Sequence, residues 1–235
     1  MMFEKFKTRT DKAEIMDDFE LKGRELEVVL QDLNNVNKRL GGYKITINGI
    51  KKLITNRTKT ITIADVGCGS GENLRQIAKW AKRENISVEL IGLDANQNTV
   101  NLAKSLSTEF KNISFVQQDV FDESFKNHQM DIICLSLTLH HFKDKDIKKL
   151  LPLLYQNSSL GLVINDLQRH WLAYFLFQLY SSVLMKSKIA KHDGKVSILR
   201  GFKKNELEKY KTIVKPKNLH LEWCWAFRYL CIFQK

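Results

Sequence analysis

The chain is poor in residues that cross-link or stiffen a fold. Its 235 residues include four cysteines, at 68, 134, 224 and 231, with no C-x-x-C pair and no histidine at zinc-ligand spacing. Neither a structural zinc site nor a secreted disulfide framework is readable, no metal is expected, and a reducing cytosol suits the chain best. Two prolines, Pro152 and Pro216, and 11 glycines argue against collagen-like, proline-rich or disordered architecture. Long hydrophobic runs are missing too. The N-terminal stretch is charged throughout, unlike a signal peptide. The greasiest segment, Trp171 to Met185, is interrupted by Gln178, Ser181 and Ser182 and is shorter than the roughly 20 residues that span a bilayer. Acids are in short supply: 38 Lys and Arg against 26 Asp and Glu leave a net charge of +12. Such a balance raises nucleic acid or an anionic membrane as a partner.

With 43% hydrophobic and 27% charged residues the chain can bury a full core. Over 12–55 apolar residues recur at helical spacing (Ile15 and Phe19; Leu26, Val29, Leu30, Leu33, Val36 and Leu40) up to a Gly41-Gly42 break. This predicts an N-terminal helical segment, 1–55, ending in a short helix near 47–54. From Thr60 apolar runs of strand length alternate with amphipathic helices. The strands are expected at 60–66, 87–93, 113–117, 130–136 and 160–165, and the helices at 72–84, 96–109, 121–126 and 144–155. That alternation is the mark of a parallel sheet with crossover helices. After Asn165 the rhythm stops, so 166–202 reads as an insertion; a helix at 203–212 and two strands, 218–224 and 226–234, close the chain. Two strands with no helix between them predict an antiparallel hairpin at the sheet edge. The expected fold class is α/β, a doubly wound seven-stranded sheet in a domain over 56–235, mostly parallel with an antiparallel last strand.

Residues 61–71 read ITIADVGCGSG, an apolar strand entering Gly67, Gly69 and Gly71 before a helix that starts near Glu72. Glycine removes the Cβ that would hold a ligand off the backbone. The dinucleotide pattern G-x-G-x-x-G would need glycine at 72, where Glu72 instead repels a pyrophosphate, and no Gly-Lys-Ser/Thr is present. A cofactor without phosphates fits better. Asp94 ends the second strand, where an acid accepts hydrogen bonds from ribose hydroxyls. Gln118, Asp119 and Val120 end the third, beside which the adenine of a nucleoside would lie.

In this order DVGCGSG (65–71), GLDAN (92–96), QQDVF (117–121) and DIICLSLTLHHF (131–142) resemble the class I S-adenosylmethionine-dependent methyltransferases. Within that Rossmann-like family the chain is similar to the small-molecule branch that includes the ubiquinone and menaquinone biosynthesis enzymes. The resemblance covers roughly 60–235. It implies S-adenosyl-L-methionine as cofactor and S-adenosyl-L-homocysteine as product. By it Asp65, Gly67, Gly69 and Gly71 would surround the methionine part, Asp94 the ribose, Asp119 and Val120 the adenine, and Leu135 and Ser136 would face the sulfonium. It also implies that 166–202 is a lid lining the acceptor pocket. Relatives that methylate exocyclic base amines carry Asn/Asp-Pro-Pro-aromatic after the fourth strand, whereas this chain reads Ser136-Leu137-Thr138-Leu139.

Methyl transfer requires an aligned nucleophile and, for a hydroxyl, a base. His140 and His141 stand at the mouth of the expected site, and an unperturbed imidazole titrates near 6.5; packing against Phe142 is the plain alternative. Ligands of open α/β sheets sit outside the carboxyl ends of strands, which makes Asp166, Arg169, His170 and Trp171 acceptor candidates. Helix capping is the plainer role for Asp166, with Arg169 as its ion partner. Lys191-His192-Asp193-Gly194 reads as a turn from which His192 and Asp193 reach the site. Trp171, Tyr174, Phe175, Phe177 and Tyr180 make the intervening helix apolar nearly all round. Such a helix suits core packing, a flat lipophilic acceptor, a homodimer contact or a membrane surface. The preferred reading is a cytoplasmic enzyme that methylates oxygen, rather than carbon, of a phenolic, quinol or polyketide-like small molecule. An RNA methyltransferase and a non-catalytic cofactor-binding or assembly subunit are the alternatives. Between Lys186 and Lys217 lie eleven Lys or Arg and three acids. The excess charge thus flanks the aromatic helix and suits an anionic membrane or an acidic acceptor as well as RNA.

Overall fold

The computed structural model describes residues 4–18, 20–127 and 129–235. Phe19 lies outside the described residues. Two helices, α1 (Gly23–Arg39) and α2 (Gly42–Leu53), precede the sheet. There follow β1 (Ile61–Val66), α3 (Glu72–Arg83), β2 (Val88–Asp94), α4 (Gln97–Leu106), β3 (Ile113–Gln117), β4 (Met130–Ser136), α5 (Asp144–Gln156) and β5 (Ser158–Leu167). The chain continues through α6 (Trp171–Leu184), α7 (Lys188–Arg200), α8 (Lys204–Lys209) and α9 (Lys211–Val214) to β6 (Asn218–Cys224) and β7 (Arg228–Gln234).

The seven strands form one sheet in the order β3-β2-β1-β4-β5-β7-β6. All pairings are parallel except those of β7, which is antiparallel to both β5 and β6. β1, β4 and β5 are buried along nearly their whole length because helices cover both faces. α2, α3 and α4 bury Ile50, Leu74, Ile77 and Val100 on one side. α5, α8 and α9 bury Leu150, Leu151, Leu207 and Val214 on the other. The expected architecture is therefore the observed one, a Rossmann-like sheet with an antiparallel last strand.

Several local expectations need correction. Ile15 lies in a single 3-10 turn, Ile15–Asp17, instead of a helix, and the segment near 121–126 is a 3-10 turn at Glu123–Asn127. β5 runs on to Leu167, which places Asp166 inside a strand and not at a helix cap. Residues 191–194 are the middle of α7, not a turn. Gly194 serves packing there, since a Cβ would strike the Phe177 ring of α6. The expected helix over 203–212 is two short ones meeting at Tyr210. α6 and α7 form a helical pair that packs on α1 through Val29, Met185 and Ala190. The N-terminal segment and the insertion thus close over the same end of the sheet.

Candidate cofactor and acceptor site

The sheet order reverses between β1 and β4, which opens a crevice at the carboxyl ends of the strands. There Gly67 and Gly69 hold φ of +68° and +53°, and a Cβ on Gly67 would strike Thr138. The amides of Gly67 and Cys68 donate to the Leu93 carbonyl at 2.8 and 3.1 Å, tying the loop to the end of β2. Buried Arg75 donates to the Ser70 carbonyl at 2.7 Å, to Ser107 Oγ at 2.8 Å and to Glu72 at 2.6 Å. Glu72 is thereby paired within its own helix.

Asp94 accepts from the Gly69 amide through Oδ2 and from the Asn96 amide through Oδ1, both at 3.0 Å. Its burial raises its pKa against the pull of those amides. Each oxygen keeps a lone pair, so the carboxylate is oriented yet still able to accept. Asp65 is buried, and desolvation pushes its pKa up to about 7. Asn73 donates to its Oδ2 at 3.1 Å, while Oδ1 has no partner.

These groups open into a cavity of about 710 Å³, within the roughly 300–1,000 Å³ usual for small-molecule sites. Asp65, Gly67, Gly69, Asp94, Asp119, Val120 and Ser136 all line it. Leu135 and Gly71 do not: Leu135 is packed in the core beside Ile133, and Gly71 leads into α3. The end of the cavity beside the glycine loop is walled by carboxylates, and Asp65 Oδ1 has no donor there. That wall fits a cationic sulfonium and ammonium and opposes a polyphosphate. The far end is apolar, formed by Leu33 and Val36 of α1, Leu40 just after it, Ala173, Phe177 and Tyr180 of α6, and Trp225 and Phe227 between β6 and β7.

Both adjacent histidines reach the cavity wall, and they differ. His140 is buried, its Nδ1 lies 2.6 Å from Asp166 Oδ1 and its Nε2 3.5 Å from Glu14 Oε1. Burial alone would lower its pKa, but the charge and hydrogen bond of Asp166, then Glu14, outweigh it and raise the value to about 9. Asp166 is correspondingly held below the usual carboxylate range by His140 despite its burial. His141 is half-buried, with Nδ1 2.7 Å from Asp17 Oδ1. Arg200 donates to the other oxygen of Asp17 at 2.7 Å and, with Arg9, to the His140 carbonyl. Burial would raise the Asp17 pKa, but His141 and Arg200 hold it well below normal. Glu14, His140 and His141 bring one ligand atom each within 4.8 Å.

The acceptor candidates of the insertion serve mostly other ends. Asp166 binds the ring and amide of His140 on the side of β5 away from the cavity. Arg169 is buried and fastens the carbonyls of Phe6, Lys7 and Gly201 and the carboxylate of Glu206. His170 caps α6 by accepting from the Leu172 amide at 3.2 Å and stacks on Phe227. Trp171 is exposed and His192 lies against Lys12 and Asp193, and neither Trp171 nor His192 lines the cavity. Asp193 touches the wall, but its two oxygens accept the amides of Ile15 and Met16 at 2.9 Å. It clasps the segment that carries Glu14 and Asp17. Those two acids, Asn34, Tyr43 and Arg228 are lining residues that sequence reasoning passes over. The only signal for them was the unexplained polarity of an otherwise amphipathic N-terminal segment and an arginine opening the last strand.

Residues 63–157 match the family profile described as a methyltransferase domain. No curated protein matches the chain by sequence. Among solved structures, the plantazolicin methyltransferase BpumL in complex with S-adenosylhomocysteine aligns with a TM-score of 0.59 and 21% identity, covering 82% of this chain and 72% of its own. The magnesium protoporphyrin IX methyltransferase ChlM from Synechocystis PCC 6803, with bound S-adenosylmethionine, gives 0.56 and 12%, covering 94% and 89%. The CurJ carbon methyltransferase gives 0.59 and 14%, covering 81% and 53%. Proteins named for such different acceptors share one fold, so the acceptor must be argued from the cavity itself.

Proposed function

We propose that this protein, a class I S-adenosylmethionine-dependent methyltransferase, transfers its methyl group to a hydroxyl oxygen of a hydrophobic small molecule, with His141 as the base. One observation carries the reading: the acid-walled cofactor end of the cavity continues past Ser136 and Thr138 into an apolar end closed by α1, α6 and α7. Bound S-adenosylmethionine would supply the methyl on its sulfonium, with S-adenosylhomocysteine as the leaving group, and His141 would take the proton of the attacking hydroxyl. Asp17 holds the opposite ring nitrogen, which fixes the tautomer in which Nε2 carries the lone pair. His140, kept cationic by Asp166 and Glu14, serves as a positioning residue. The insertion over 166–202 acts as the acceptor lid.

The test incubates the protein with labelled cofactor and a cell extract and reads by mass spectrometry which species gains the methyl. A labelled ether of a lipophilic phenol or enol supports the reading. Label in RNA, or on carbon, overturns it. On the product so found, His141→Gln should lower kcat by about 10²–10⁴ and leave cofactor affinity unchanged; an unaltered pH–rate profile removes His141 from the mechanism.

A lipophilic acceptor must also arrive, and we propose an anionic bilayer as the surface it comes from. Trp171, Phe175, Leu179 and Val183 repeat every four residues along α6 and face solvent, Val183 at 81% exposure. Phe175, Leu179 and Val183 do not line the cavity, whereas Ala173, Phe177 and Tyr180 on the same helix do. Exposed Trp223 and Trp225 stand beside this stripe through Phe227 and His170, and Lys186 and Lys188 follow it. Tryptophans, aliphatics and flanking lysines together are the composition of interfacial binding. Vesicles containing phosphatidylglycerol should sediment the protein and pure phosphatidylcholine should not, and Phe175→Asp with Val183→Asp should abolish the binding. Equal indifference to both vesicles, or a dimer that buries the stripe, overturns it.

A further inference from the structure

Arg228, the first residue of β7, is a buried cation without a partner. Its side chain is 2% exposed and lines the cavity. Nε and Nη1 are sealed from solvent with no hydrogen bond, and among the described residues its guanidinium makes no ion pair. It is the one Arg or Lys in the described cavity wall, which elsewhere holds carboxylates. Burial pulls its pKa down to about 10, against the distant charge of Asp166. Asp166 cannot neutralise it. Arg228 pairs in register with Leu167, so it shares a face of the sheet with Leu167 and Asn165, while Asp166 points to the opposite face and is held there by His140. Space for the guanidinium has been kept open: a Cβ on Gly42 would collide with Nη1.

A buried, unpaired charge is destabilising, and such a group persists where something outside the chain completes it. We infer that Arg228 anchors a carboxylate of the acceptor, so that the substrate is a hydrophobic carboxylic acid methylated at a remote oxygen. This rests on the acceptor-pocket reading above. The surroundings favour the acceptor over the methionine carboxylate of the cofactor. In the sheet order β1-β4-β5-β7, Arg228 stands three strands from the glycine loop and two from Ser136, the latter roughly 10 Å at the usual strand spacing. Leu40, Trp225 and Phe227 line the same cavity, Phe227 next to Arg228 in the chain, and the guanidinium lies against Gly42 near Asn37. A guanidinium offers a carboxylate two parallel N–H donors, which fixes direction as well as charge. With the anion held there, the hydroxyl to be methylated lies at the other end of the molecule, toward His141.

The test uses the full chain saturated with S-adenosylhomocysteine and titrates four probes by calorimetry: decanoate and 2-naphthoate, with decanamide and 2-naphthamide as neutral counterparts. At least one carboxylate should bind about tenfold or more tightly than its amide, and Arg228→Gln should erase that difference, with Arg228→Lys retaining part of it. Arg228→Met should also raise the melting temperature of the unliganded protein, which loss of a structural arginine would not do. Carboxylates that bind no better than amides in the wild type overturn the proposal even if no variant folds. Loss of homocysteine-product affinity in Arg228→Gln, with carboxylate binding unchanged, assigns the residue to the cofactor and overturns it as well. A wild type that does not bind S-adenosylhomocysteine at all would instead sink the methyltransferase reading on which the proposal stands.

Discussion

Asp166 and Glu14 hold the His140 ring from two sides, and the consequence is measurable as a pH dependence. The folded pKa, about 9, lies above the ordinary 6.5 of the unfolded chain. The native state therefore keeps a proton that the unfolded state loses across that window. The stabilisation is complete below about pH 6.5 and disappears as pH rises toward 9. Melting temperature should fall over this range in the wild type, and His140→Gln should flatten the fall while lowering the plateau below pH 6.5. A wild-type curve without a step there would refute the pairing. Asp94 makes a separate prediction. Its two oxygens are oriented by the Gly69 and Asn96 amides toward the crevice. Asp94→Ala should weaken S-adenosylhomocysteine binding by about tenfold or more in a chain that still folds, and unchanged affinity in calorimetry would remove it from the ribose contact. The two histidines could be named from sequence, but their difference could not. It comes from Glu14 and Asp17, more than a hundred residues earlier in the chain.

Helix α6 was readable as apolar, yet its spacing did not say which neighbour covers it. In the fold Ala173, Phe177 and Tyr180 close the cavity, and the opposite stripe stays in solvent. Helix α7 shows the reverse case. His192-Asp193-Gly194 has the composition of a turn, and glycine costs a helix about 1 kcal/mol relative to alanine. The helix forms nonetheless because the Phe177 ring occupies the place of the missing Cβ. Gly194→Ala should thus destabilise the protein by about 1–3 kcal/mol in urea unfolding despite its better propensity, and a gain in stability would show that the α6–α7 contact is loose. β1, β4 and β5 followed their patterns because helices bury them on both faces, and α3, α4 and α5 followed theirs because each buries one apolar face.

The N-terminal segment and the insertion meet over the sheet only in the complete molecule. Asp193 accepts the amides of Ile15 and Met16, Asp32 accepts those of Lys186 and Ser187, and Arg169 holds the carbonyls of Phe6 and Lys7. Through these ties Glu14 and Asp17 arrive at the histidines. Asp193→Ala should loosen residues 14–17, measured as faster amide hydrogen exchange there, and lower turnover several-fold with cofactor affinity intact. Unchanged exchange would mean that other contacts carry the closure. The net charge of +12 finds its place in the same view: lysines follow α6 at the rim, while acids and, among the described residues, a single arginine line the cavity.

By itself the sequence determined the seven-strand α/β plan, the glycine loop and the acids that end the second and third strands. These are local facts, set by period, by glycine's missing Cβ and by position at a strand terminus. Tertiary structure decided what closes the cavity and how its charges pair. Whether Asp166 faces a ligand or a histidine depends on how far β5 extends and on the alternation of its side chains. Whether Arg228 is paired or waiting depends on which strand lies beside it and on the small residue across from it, and neither is written in the residues next to it in the chain.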